Sequence, residues 1–324
     1  MKITFVNVGY GEGIVISYQD KIIVIDTGSN LLEEYEGYAA RISIDKYLKN
    51  NNISKIDALV LTHLHEDHIC RGAKLIDDYE ISQIYTNIDY SAIDLSKEII
   101  PNDTDEKYTR LFAYSTNAYR HIILKALENN IPIHKLYYEK DKQIMIAGVL
   151  KADVLGPNLD VTYEFEKNLK LLYKATTRED ITKYSYILDK SANATPIMLR
   201  LHFGDKKVLL TSDLVPNNLK YLPDDIDISS DILKLAHHGQ IDGIEENFLK
   251  KVSANMYITC SSSNRINNSS HKDVYKNIRQ MFSDSKFYFT DEISYDDYFK
   301  VENKFSALNF HFTHSGIEVS FDFI

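Results

Sequence analysis

Apolar and polar positions alternate in short runs from the start of the chain: Ile3 and Phe5, then Ile14 and Ile16, then KIIVI at 21–25, each set off by Gly or Asp. A period of two between turn formers predicts strands, and the third ends at Asp26-Thr27-Gly28. A helical spacing follows over 38–49, and an apolar run at 58–61 predicts a buried strand that delivers the chain into a histidine cluster. Residues 77–141 turn polar and tyrosine-rich, with a helical stretch at 109–129, and are expected to form a polar helical insertion on the scaffold. Strand patterns return at 143–155, 196–202 and 208–211, with Gly204-Asp205 as a hairpin turn between the last two. Further strands are expected at 232–236, 256–260, 286–290, 307–312 and 317–321, and helices at 245–252 and 273–282. Neither an internal repeat nor a low-complexity linker is visible, so residues 1–324 are expected to form one domain of two β-rich halves with outer helices.

Composition narrows the classes. The chain has 37 basic and 47 acidic residues, a formal charge of −10 that argues against indiscriminate attraction to polyphosphate chains. Its two cysteines, Cys70 and Cys260, are too few for a disulfide framework and suit a reducing compartment. MKITFVNVGYGEGIVIS lacks the pattern of a signal peptide, and no apolar run approaches the ~20 residues that cross a bilayer. A cytoplasmic location without membrane contact is the expectation.

The chemistry concentrates in LVLTHLHEDHICRG at 59–72. His63 and His65 alternate, so on an extended segment they point the same way and can hold one ion. Asp67 and His68 fall where a helix begins and can turn toward a second ion beside the first. The H-E-x-x-H spacing of helical zinc proteases is missed by one residue, since His65 and His68 are three apart. No P-loop is present, because GYGEG at 9–13 is too short and lacks the following Lys-Ser/Thr.

The pattern HxHxDH, preceded by IDTG at 25–28, resembles the metallo-β-lactamase fold superfamily. That resemblance implies an α+β fold, an αββα sandwich of two mixed β-sheets flanked by helices, with a hydrolase site at the sheet edge. It implies His63 and His65 on one ion, Asp67 and His68 on the other, and Asp26 as an orienting carboxylate beneath them. NVGYGEGIVIS (7–17), NATPIMLRL (193–201), LLTSDL (209–214), LKLAHHG (233–239), NRINNSSH (264–271) and FTDE (289–292) are similar to motifs of the hydrolase domain of the ComEC competence proteins. By that resemblance Asp213 bridges the ions, and one of His237 and His238 completes the site. His238 is taken as the ligand and His237 as a catalytic partner of the substrate's phosphate, beside Asp67. Asn193 stands where many members carry another metal-binding histidine, so one ion or two is left open, and Asn193 and His271 are expected near the substrate.

Imidazoles and carboxylates around divalent ions can bring the pKa of a coordinated water toward neutrality. The mixed nitrogen and oxygen donors favour zinc, with manganese or iron as alternatives. The expected function is metal-dependent hydrolysis of a phosphodiester, in single-stranded DNA, a small nucleotide or a phosphocholine-type ester. Two alternatives are a lactam, lactone or thioester hydrolase and a non-catalytic nucleotide-binding module that retains the metal site.

Overall fold

A computed structural model describes residues 1–263, 270–295, 299–302 and 304–323. Residues 264–269 of the NRINNSSH segment lie outside the described residues. Two large mixed sheets form the centre. In the eight-stranded sheet Lys2–Val6, Gly13–Tyr18 and Lys21–Thr27 run antiparallel, and Ala58–Leu61, Ile84–Thr86 and Ile133–Lys135 then add in parallel. Its other end is closed by the antiparallel pair Phe305–Thr313 and Gly316–Phe323, with Lys2 opposite His311 and Val6 opposite Ala307. The seven-stranded sheet is antiparallel from Gln143–Ile146 through Leu150–Gly156 and Met198–Phe203 to Lys206–Leu210. From there Ile232–Lys234, Met256–Thr259 and Lys286–Phe289 continue in parallel.

Side-chain alternation explains the layering. Ile3, Phe5, Ile14, Ile16, Ile23 and Ile25 of one sheet meet Val154, Leu199, Leu201, Val208, Leu210 and Ile232 of the other. The intervening Val15, Val24 and Leu59 face the opposite way, onto the Ile44–Asn50 and Lys107–Glu128 helices through Leu48, Phe112, Ile122 and Ile123. On the far face Leu209, Leu233 and Tyr257 pack on Phe248 and Leu249 of Glu246–Val252 and on Val274 and Ile278 of Lys272–Met281. The architecture is therefore helix, sheet, sheet, helix, the fold class expected.

Several elements depart from the sequence pattern. The helix expected over 38–49 is confined to Ile44–Asn50. Residues 77–141 hold two strands of the first sheet, Ile84–Thr86 and Ile133–Lys135, besides the 22-residue helix Lys107–Glu128. Two helices not among the expected elements, Leu159–Lys174 and Arg178–Ala192, lie between the halves of the chain. Asn158 caps the first by accepting from the amides of Asp160 and Val161, and Thr177 caps the second by accepting from Asp180. Among the described residues no helix is long and apolar enough to cross a membrane.

Candidate metal centre

Strand ends from both sheets meet at one edge. Lys21–Thr27 and Ala58–Leu61 deliver Asp26 and the His63–His68 segment, while Lys206–Leu210 and Ile232–Lys234 deliver Asp213 and the His237-His238 pair. Asp26, Ser212, His237 and His238 all have φ between 48° and 55°, the left-handed region that side chains with a Cβ avoid. Four such residues at one edge mean that the surrounding structure holds a strained arrangement in place.

The buried His63, His68 and Asp213 form one group, and Asp67, His68 and His238 a second, each with ligand atoms within 4.8 Å of one another. His68 belongs to both. Its Nε2 lies 3.4 Å from Asp213 Oδ1, 3.7 Å from Asp67 Oδ2 and 3.3 Å from His238 Nε2. His238 Nε2 lies 3.1 Å from Asp67 Oδ2 and 3.3 Å from Asp213 Oδ2. Asp67 Oδ2 and Asp213 Oδ1 are buried and take part in no aligned hydrogen bond. Buried carboxylate oxygens without hydrogen-bond partners, facing imidazole nitrogens, form a donor set that fits a divalent cation.

Charge tells the same story. Burial opposes the charged form of His68, yet Asp213, Asp26 and Asp67 together hold its pKa well above the ordinary range. His238 is pushed up to about 9 against burial by Asp213 and Asp67. Burial also opposes ionisation of Asp213, but His238 and His68 hold it well below the usual carboxylate range. The carboxylates draw positive charge onto their neighbours, a demand that a cation can meet in place of protons.

Each second ring nitrogen has its own support. His68 Nδ1 lies 2.7 Å from Asp26 Oδ2, and Asp26 also accepts the Thr62 amide at 2.8 Å and the Thr62 hydroxyl at 2.6 Å. His238 Nδ1 donates to the Cys260 carbonyl at 3.0 Å. His63 turns Nδ1 toward the hydroxyls of Thr62, at 3.1 Å, and Ser212, at 3.4 Å. These contacts fix ring orientation and tautomer, leaving Nε2 of His68 and His238 for the cluster.

His65 stands apart from both groups. Its Nδ1 is 3.1 Å from His63 Nε2, but its Nε2 points to the Asp189 carbonyl at 3.2 Å. His237 lies beside the cluster, with Nδ1 3.0 Å from both Asp242 oxygens and Nε2 3.0 Å from Asn193 Nδ2. His271, expected near the substrate, accepts the Asp273 amide at its ring and caps Lys272–Met281, while its backbone amide donates to the Gly239 carbonyl of the HHG turn at 2.9 Å.

Three features escape sequence reasoning. Lys234, expected only as part of an apolar strand, is fully buried, ion-paired with the equally buried Glu12, and donates to the Ser212 carbonyl at 2.9 Å. Glu66 accepts from the Ser29 hydroxyl and the Asn30 amide, and burial, followed by the Asp67 charge, pushes it up to about 7. Gly11 lies flat on the motif, where a Cβ would sit 2.2 Å from the Asp67 carbonyl oxygen. The signal for Gly11 was available in GYGEG; nothing in the strand pattern singles out Lys234.

A cavity of about 680 Å³ lies over the cluster, lined by His65, Asp67, Asp213, Asn193 and His237 together with Tyr10, Tyr108, Phe112, Lys107 and Lys190. The arrangement can hold divalent cations beneath a mixed polar and aromatic chamber whose lining also includes Glu66, Asp189 and Asp242, Lys190 being ion-paired with Asp189 at 3.5 Å.

The Metallo-beta-lactamase superfamily model matches residues 7–99, the segment that carries Asp26 and the histidine motif. No curated protein matches the chain. Among solved structures, Igni18, a metallo hydrolase from the hyperthermophilic archaeon Ignicoccus hospitalis, is similar at TM-score 0.50 and 11% identity, covering 97% of this chain and 100% of that one. At that identity the likeness is one of fold. A diphosphatase of the PhnP family (TM-score 0.39, 14% identity, 90% of this chain and 86% of that one) and human tRNase Z, short form (0.36, 11%, 90% and 92%) are also similar.

Proposed function

We propose that the chain is a metal-dependent hydrolase of the metallo-β-lactamase superfamily and that its substrate is a phosphodiester. The observation that carries this reading is the pairing of two ligand groups, sharing His68, with a cavity whose lining includes Lys107 and Lys190. Divalent cations bound there supply charge to a phosphoryl oxygen and make water more acidic. His63, Asp67, His68, Asp213 and His238 hold them, with His65 beside His63. Zinc suits the mixed donors, and manganese or iron are the alternatives; one or two ions are compatible with the groups.

The chain's own residues then divide the work. Asp67 stays ionised and keeps a free oxygen toward the cluster. Asp26 and Cys260 lock the rings of His68 and His238 so that no reorganisation is needed when substrate arrives. His237, held at Nδ1 by Asp242 and at Nε2 by the donating Asn193 Nδ2, serves in this reading as a partner of the substrate's phosphate beside the ions. Lys107, and Lys190 on exchanging its Asp189 partner, would face the charge of an anionic ester. Within this class, the ComEC-like motifs support single-stranded DNA or a nucleotide-derived ester, whereas the net charge of −10 supports a small ester, nucleotide or phosphocholine-type, over long polyanions.

The test is elemental analysis of purified protein, followed by linear, cyclic and oligonucleotide phosphodiesters beside a thioester, a lactone and a lactam, each with zinc and manganese. Phosphodiester turnover that is lost in Asp67→Ala and Asp213→Ala, with secondary structure retained, is the expected result. Turnover of the thioester, lactone or lactam alone overturns it, and so does nucleotide binding without turnover of any ester.

A further inference from the structure

We infer that Ser212 is a positioning residue for the metal centre, its hydroxyl steering the His63 imidazole and its strained backbone aiming Asp213. The inference rests on the metal reading of the site. Ser212 is buried, and at φ 48° it occupies a conformation that glycine adopts without cost and serine does not. Loop-building alone gives no reason for a side chain there.

The side chain has a defined task. Thr62 Oγ1 lies 2.6 Å from Asp26 Oδ2, whose other contact is His68 Nδ1 at 2.7 Å; with the ring proton on Nδ1 this oxygen accepts from both, so the Thr62 proton is committed to Asp26. In the 2.8 Å contact between Thr62 Oγ1 and Ser212 Oγ, serine must therefore be the donor. This leaves the lone pairs of Ser212 Oγ and Thr62 Oγ1 facing His63 Nδ1, at 3.4 Å and 3.1 Å. Both oxygens then favour the tautomer with hydrogen on Nδ1 and the lone pair on Nε2, the atom that faces His65 Nδ1 at 3.1 Å and would be available to a cation. The chain Asp26, Thr62, Ser212, His63 ties the first sheet's strand ends to the second sheet's Asp213 turn.

The backbone of the same residue is clamped from below. Its carbonyl accepts the Lys234 ammonium at 2.9 Å and the His237 amide at 3.2 Å. Three candidate metal-site residues, His63, Asp213 and His237, thus take their placement from contacts at one serine.

Two variants separate positioning from packing. Ser212→Gly removes the hydroxyl and relieves the backbone, whereas Ser212→Ala removes the hydroxyl and keeps the strain. Zinc and manganese binding is measured by calorimetry, bound ions per chain by elemental analysis, and the thermal midpoint on metal-free protein. Both variants are expected to lose about tenfold or more in affinity for at least one ion. The Ser212→Gly midpoint is expected at or above wild type, with Ser212→Ala at or below it. Wild-type affinity and stoichiometry in both variants would overturn the inference. So would a Ser212→Gly protein whose stability falls in step with its affinity, because that outcome marks a structural role. If the wild type binds no divalent ion, the inference falls with the metal reading. If it binds ions but turns over no phosphodiester, the substrate reading alone falls.

Discussion

Gly11→Ala tests the site from outside the ligand set. Gly11 has φ +118°, and a Cβ built there lies 2.2 Å from the Asp67 carbonyl oxygen and 3.1 Å from its carbonyl carbon. Real Cβ contacts do not fall below 3.0 Å, so the Asp67 backbone has to retreat by about 0.8 Å. Forcing alanine into that backbone region costs about 1–3 kcal/mol. The Glu12 amide donates to the same carbonyl at 3.2 Å, and losing that bond adds about 1 kcal/mol. The expected destabilisation is therefore about 2–4 kcal/mol, read from urea unfolding. A displacement approaching 1 Å in a candidate metal ligand is expected to lower turnover by roughly a hundredfold. Gly37→Ala is the control: φ is +82°, nothing lies within 4 Å of its Cβ, and strain alone of about 1–2 kcal/mol is expected with normal turnover. A Gly11→Ala protein with the stability and metal affinity of Gly37→Ala would refute the claimed contact with Asp67.

Further outcomes follow from other contacts. Lys234→Met leaves the Glu12 carboxylate buried without its partner and is expected to cost about 3–5 kcal/mol in chemical unfolding, much of which the double variant Glu12→Gln/Lys234→Met should restore. Asp45 accepts from Arg71 Nε at 2.7 Å and Nη2 at 3.1 Å; burial works against its ionisation, but these bonds hold its pKa below the usual value. Its folded pKa is thus the lower one, so the advantage of wild type over Asp45→Asn is full above the unfolded pKa of about 3.9 and fades as pH falls through the folded value. Equal acid unfolding curves for the two proteins would contradict this. Stripping divalent ions with a chelator is expected to lower the unfolding free energy by about 2.7 kcal/mol relative to protein held at a hundred times the dissociation constant. An unchanged melting curve would argue against a bound ion.

Much of the architecture was legible because the two central sheets depend on alternation. Ile23 and Ile25 point into the inter-sheet core and Val24 away from it, and that difference is written directly in KIIVI. The His63–His68 cluster was readable because strand ends place such side chains at a sheet edge. Arg178–Ala192 was not, since only Ser185, Leu188 and Ala192 are buried on it, too sparse an apolar stripe to declare a helix. Leu159–Lys174 did carry a signal, with Phe165, Leu169 and Leu172 at helical spacing behind an Asn158 cap. Lys234 and Ser212 stayed hidden for a different reason: their partners, Glu12 and Thr62, are far along the chain, and one-dimensional patterning holds no trace of a contact between sheets.

The candidate ligands come from both sheets, His63 to His68 from the first and Asp213 with His238 from the second. A nascent chain that has emerged only through His68 cannot assemble either group, because each lacks Asp213 or His238. The first sheet in turn is completed by Phe305–Thr313 pairing with Lys2–Val6. Cation capture at these groups would therefore have to wait until both sheets are made and docked.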